Sequence, residues 1–70
     1  MLWWFERGGK HVQVEVLHLA NGTYELHLLD EDGKEVTEHF TDAADLSNRQ
    51  RMIQDALILR GWKRSGEWLL

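Results

Sequence analysis

Over the first forty residues, apolar and polar positions alternate in short runs from His11 to Leu19, Thr23 to Leu29 and Lys34 to Phe40. They follow an apolar opening, Met1-Leu2-Trp3-Trp4-Phe5. Glycine-bearing pairs separate the runs, at Gly8-Gly9, Asn21-Gly22 and Asp32-Gly33. A period of two bounded by Asn-Gly or Asp-Gly marks hairpin-linked strands. The pattern predicts an antiparallel meander of four strands, near 2–7, 10–19, 23–30 and 34–40.

Residues directly opposite in a hairpin share a face, so the faces decide the loop lengths. A two-residue Asn21-Gly22 turn sets Val16 against His27 and Leu17 against Leu26, which mixes a valine face with a polar one. A three-residue loop Ala20-Asn21-Gly22, with the glycine left-handed in a bulge, pairs Val16 with Leu26 and Val14 with Leu28. The same reasoning makes Glu31-Asp32-Gly33 a three-residue loop, pairing Leu28 with Val36 and Tyr24 with Phe40. A two-residue Gly8-Gly9 turn sets Phe5 against Val12 and Trp3 against Val14. One face then collects Trp3, Phe5, Val12, Val14, Val16, Tyr24, Leu26, Leu28, Val36 and Phe40, with His18 at its margin.

After Phe40 the period changes. Thr41 or Asp42 suits a helix N-cap, and Asp45 falls in the first turn, where a negative charge favours the dipole. Leu46, Ile53, Ala56, Leu57 and Arg60 recur on one side at helical spacing, with Met52 and Leu59 flanking, and Gly61 is the expected left-handed stop. The reading is therefore one α+β domain over 1–70: a ββββ sheet over 1–40, one C-terminal helix over 42–60 packed across one face, and a tail over 61–70. In the tail, Trp62 is expected to fold back onto the core. For Trp68, both a fold-back and a short strand beside a sheet edge stand open.

Length sharpens this picture. A 70-residue chain buries only about 60% of the surface its unfolded form exposes, so each large apolar residue matters. With 0 Cys, disulfides and thiolate metal sites are excluded. The apolar opening gives way at once to Glu6 and Arg7, too short for a signal-peptide core or a membrane span, so a soluble, cytoplasmic protein is expected. The net charge of −4 is uneven. Residues 1–40 hold three basic against eight acidic residues, and 41–70 five basic against four. Nucleic-acid binding draws its affinity from phosphate neutralisation, so an acidic sheet disfavours it. The basic residues Arg49, Arg51, Lys63 and Arg64 carry the remaining case for a nucleic-acid-binding accessory role.

The face away from the helix gathers Leu2, Trp4, His11, Gln13, Glu15, Leu17, Glu25, His27, Leu29, Glu35, Thr37 and His39. Leu2, Trp4, Leu17 and Leu29 make it too apolar for solvation alone. Three covers are open: a second copy of the chain, the chain's own tail, or a foreign ligand. Together with Glu15, His27 and His39 they form the candidate interaction face. A His-based metal site at His27 and His39 is a further alternative. However, His–Glu pairs across strands are ordinary sheet stabilisation, and zinc needs three or four convergent ligands, so neither a metal nor a cofactor is expected. No nucleophile elbow, phosphate-cradling loop or metalloprotease motif is present, and no enzyme is expected. Glu38 falls among apolar residues of the core face, where an edge position lets it reach solvent or pair with Arg49.

The residues Trp4-Phe5-Glu6-Arg7 with a following glycine, Tyr24-Glu25-Leu26, Asp32-Gly33, the Asp42 to Leu46 helix start and the closing Gly61-Trp62 resemble a set of small bacterial proteins that form a domain of unknown function. That resemblance spans most of the chain and rests on turn and core residues, so it implies a fold and no activity. In element order the chain is also similar to Whirly and transcriptional-coactivator single-stranded DNA-binding folds, which implies dimerisation. Their basic, aromatic sheets contrast with the acidic sheet here. The expectation is a protein–protein interaction module that self-associates as a homodimer, with an unidentified protein as a further possible partner.

Overall fold

The computed structural model describes the backbone of residues 1–68 and the side chains of 1–67. The Trp68 side chain, Leu69 and Leu70 lie outside the described part, and with them the question of what Trp68 covers. The strands are β1 (Leu2–Arg7), β2 (Lys10–His18), β3 (Tyr24–Leu29) and β4 (Glu35–Phe40), followed by helix α1 (Ala43–Leu59) and a fifth strand, β5 (Lys63–Trp68). All five form one antiparallel sheet in the order β4-β3-β2-β1-β5.

The hairpin registers follow the face rule. Phe5 stands opposite Val12, Val14 opposite Leu28, and Tyr24 opposite Phe40. Gly22 and Gly33 take φ values of 85° and 82° in their three-residue loops, a region that side-chain-bearing residues avoid. Asp42 caps α1, its Oδ1 accepting from the Ala44 N–H at 2.7 Å. At the other end Gly61 turns left-handed at φ 87°. The N–H groups of Gly61 and Trp62 donate to the carbonyls of Ile58 and Leu57, both at 3.0 Å, closing a Schellman motif.

The expected ββββα order is corrected to ββββαβ. Trp62 folds back as expected and is buried, but Lys63 to Trp68 then add a strand to the β1 edge. No apolar alternation announces this strand, because Lys63, Arg64, Ser65 and Gly66 are all polar or small. A backbone ladder holds it instead, with a bulge between Trp4 and Phe5, and two side-chain bonds add to it. Trp3 Nε1 donates to Glu67 Oε2 at 3.2 Å, and Ser65 Oγ to the Trp4 carbonyl at 3.3 Å.

The core lies between one sheet face and α1. Trp3, Phe5, Val12, Val14 and Leu26 meet Leu46, Ile53 and Trp62, with Val16, Tyr24, Leu28, Phe40 and Leu57 packed around them. Arg7 ties the β1–β2 turn to the helix end. It stacks 4.7 Å over the Trp62 ring and donates from Nη1 to the Arg60 carbonyl at 2.7 Å. Three residues assigned to the inner faces are in fact exposed: Val36, Ala56 and Arg60. Val36 sits on an edge strand with a neighbour on one side only, and Ala56 and Arg60 lie at the rim of the helix contact. His18 is exposed too, and stacks on Tyr24 at 4.7 Å between ring centres.

Candidate functional site on the helix-free face

The pleat sends alternate residues of every strand away from α1, and register sorts them into rows. Trp4, Gln13, Leu29 and Glu35 lie in one row across β1 to β4, and Leu2, Glu15, His27 and Thr37 in the next. Leu17, Glu25 and His39 form a third. All seven candidate residues, Leu2, Trp4, Glu15, Leu17, His27, Leu29 and His39, thus share one face in three adjacent rows. β5 extends the sheet sideways rather than folding across it, so none of the described elements covers this face.

Leu2, Trp4, Leu17 and Leu29 are half-buried, because neighbouring side chains on the same face shield them laterally. Trp4 lies over β5: a Cβ added at Gly66 would fall 2.6 Å from its indole, so only glycine leaves room for that ring. Between the apolar residues runs a polar network. His39 Nε2 lies 3.2 Å from Glu25 Oε2, and His27 Nδ1 3.2 Å from Glu35 Oε1 and 3.4 Å from Thr37 Oγ1. A carboxylate only accepts, so Nδ1 carries the proton in the Glu35 contact. That leaves His27 Nε2 buried without a hydrogen-bond partner, 3.9 Å from Glu25 Oε1. Leu2, Gln13, Glu15, His27, Leu29 and Glu35 line a shallow depression of about 180 Å³.

The histidines and carboxylates thus pair two by two, with His27 Nε2 left over. Among the described residues no cluster of three or more His, Asp or Glu is placed to hold a metal ion. No described helix is long and apolar enough to cross a membrane.

The four basic candidates do not form one patch. Arg49 makes three bonds of 3.0 to 3.1 Å to Glu38 on β4, the pairing the sequence suggested for that carboxylate. Arg64 pairs with Glu67 on β5, and Arg51 reaches Asn48 within α1. β4 and β5 are opposite sheet edges, four strand spacings or about 19 Å apart.

Sequence reasoning passed over a second surface. The large apolar residues most open to solvent are Leu59 (89%), Met52 (61%), Ile58 (52%), Val36 (41%) and Met1 (41%), none of them in the three rows of the helix-free face. The signal was present in the flanking position of Met52 and Leu59, seven apart on the helix.

Comparison with models of protein families, with curated proteins and with solved structures found no match to this chain.

Proposed function

We propose that the chain is a small protein–protein interaction module that associates with a second copy of itself and buries the helix-free face in doing so. The observation that carries this reading is the placement of Leu2, Trp4, Leu17 and Leu29 on a sheet face that no described element covers. Apolar side chains kept on an open face, interleaved with hydrogen-bonded His–Glu pairs, suit a contact with a polar component better than free solvation. The nucleic-acid reading draws less support, since Arg49 and Arg64 are already paired with carboxylates on opposite edges.

The test is mass in solution by sedimentation across a concentration series. A Leu17→Glu, Leu29→Glu double variant, folded by circular dichroism, is expected to have a lower mass than the parent chain. Equal masses at every concentration would remove the helix-free face from the contact.

A further inference from the structure

The two sheet edges are not equivalent. β5 is bulged where its register against β1 shifts between Trp4 and Phe5, so its outer edge is irregular. β4 is a regular six-residue strand with no bulge and no proline, paired only with β3 among the described residues. Its backbone polarity can be read from the loop before it. Asp30 N–H donates to the Lys34 carbonyl at 2.9 Å, which marks that pair as hydrogen-bonded. Antiparallel ladders alternate, so Val36, Glu38 and Phe40 bond to β3 while Glu35, Thr37 and His39 turn their N–H and C=O groups to the free edge.

Charged residues pointing inward commonly block such edges. Here the obvious blocker is neutralised, because Arg49 draws Glu38 onto the helix side with its three bonds. The edge also carries uncovered apolar surface. Val36 shares the face of Glu38 two residues on, and Met52 shares the flank of Arg49 one turn on; both are exposed.

We propose that β4 is the edge on which a second copy adds its own β4, antiparallel, around a twofold axis through Thr37. This rests on the self-association reading and adds a second contact, made with a different copy from the one that covers the helix-free face. The sequence of β4 is self-complementary in that register. Glu35 faces His39 of the second copy, His39 faces Glu35 of the second copy, and Thr37 faces its own equivalent. Carboxylate–imidazole and Thr–Thr are favourable cross-strand pairs. All three outward-turned residues then form hydrogen-bonded pairs, giving six backbone bonds. Shifting the register by two sets Glu38 against Glu38 and satisfies fewer of them. On the helix side, Val36 comes against the Glu38–Arg49 pair of the second copy and is covered. The two sheets join into one of ten strands with both helices on the same side. An interface of ordinary size takes about 800 Å² per copy, roughly a sixth of the 4900 Å² surface, so the Val36–Met52 strip contributes alongside the strand.

The experiment is sedimentation of the whole chain and of Thr37 variants. Thr37→Pro removes an N–H that points to the free edge and costs no backbone bond within one copy, only the 3.4 Å contact of Thr37 Oγ1 with His27 Nδ1, at a position where strands accept proline. It is expected to halve the mass, from at least twice 8.3 kDa. Thr37→Lys and Thr37→Glu, each placing like charges on the axis, are expected to dissociate singly and to reassociate when mixed one to one. That rescue does not occur if the variants merely fold badly. Folded Thr37 variants with the parent mass would overturn the edge contact. If they keep the parent mass while the Leu17, Leu29 double variant loses it, the helix-free face stands alone; the converse leaves the edge alone. A parent chain of 8.3 kDa at every concentration overturns both.

Discussion

The two faces of this sheet are built from the same four N-terminal strands and alternate residues of them, yet different physics governs each. On the helix side volume decides: Phe5 is 2% exposed and Leu26 fully enclosed, so each side chain must fill its space. On the other side pairing decides: Glu25 pairs with His39 and Glu35 with His27, which leaves only His27 Nε2 over among these four, while the leucines between them stay half-open. One face therefore carries the fold's stability and the other is free to carry contacts. Truncation should expose that asymmetry most strongly. Phe5→Ala is expected to cost about 4 kcal/mol, transfer term and cavity together, against a total of about 4–10 kcal/mol for a domain of this size. Leu29→Ala on the open face should cost less than about 1.5 kcal/mol, since it leaves no closed cavity. Urea midpoints of the two variants measure the contrast, and equal losses would abolish it.

The covered face also depends on where its cover stops. Gly61 holds φ 87° and leads the chain from α1 back through Trp62 into the core. Gly61→Ala puts a Cβ into a left-handed conformation and is expected to cost about 1 kcal/mol. The loss should appear as a lower denaturant midpoint with the m-value unchanged. Because Arg7 binds the Arg60 carbonyl and stacks on Trp62, Arg7→Ala should reproduce part of that loss.

How far this asymmetry was legible in the sequence depends on what kind of force set each feature. Face sharing in hairpins is a parity rule, so the loops at Gly22 and Gly33 and all three hairpin registers followed from which residues were apolar. The composition of the helix-free face came with them, since a register that assigns one face assigns the other. β5 was legible only as one of two alternatives for the tail, because backbone bonding and two polar side chains hold it, and these leave no periodic trace in Lys63-Arg64-Ser65-Gly66. The exposure of Val36 and Met52 escaped for another reason. Position on a face says nothing about whether the covering helix reaches that far, and α1 does not cover the Val36 end of β4. The Glu38–Arg49 pair was legible because a carboxylate on an apolar face needs a cation, and the helix offered one.

Gly66→Ala sharpens the comparison with a smaller effect. The added Cβ falls 2.6 Å from the Trp4 indole, an overlap that forces the ring to move. On the covered face such a clash would cost several kcal/mol by overpacking. On the open face the indole has space to swing away, so the expected cost is under about 1 kcal/mol, with the change read in tryptophan fluorescence as a red shift from greater exposure to water. A loss above about 3 kcal/mol would mean that Trp4 is fixed in place, and that the helix-free face is packed like a core.

The smallest effect is the one that most directly asks whether the polar network holds the fold together. His27 makes one good contact, Nδ1 to Glu35 at 3.2 Å, and leaves Nε2 buried without a partner. Replacing it with valine removes a bond to a largely exposed carboxylate, worth about 0.5–1 kcal/mol, and also removes a desolvated nitrogen whose burial costs a comparable amount or more. A β-branched residue in a central strand adds a further small gain. The terms nearly cancel, and His27→Val is expected to raise stability by about 0.5 kcal/mol. If unfolding of the isolated chain instead shows a loss of more than about 1 kcal/mol, His27 is a structural residue and the division between the two faces fails at its centre. A gain in monomer stability accompanied by weaker self-association would show the reverse: an imidazole kept on this face at a cost to the fold, because the contact uses it.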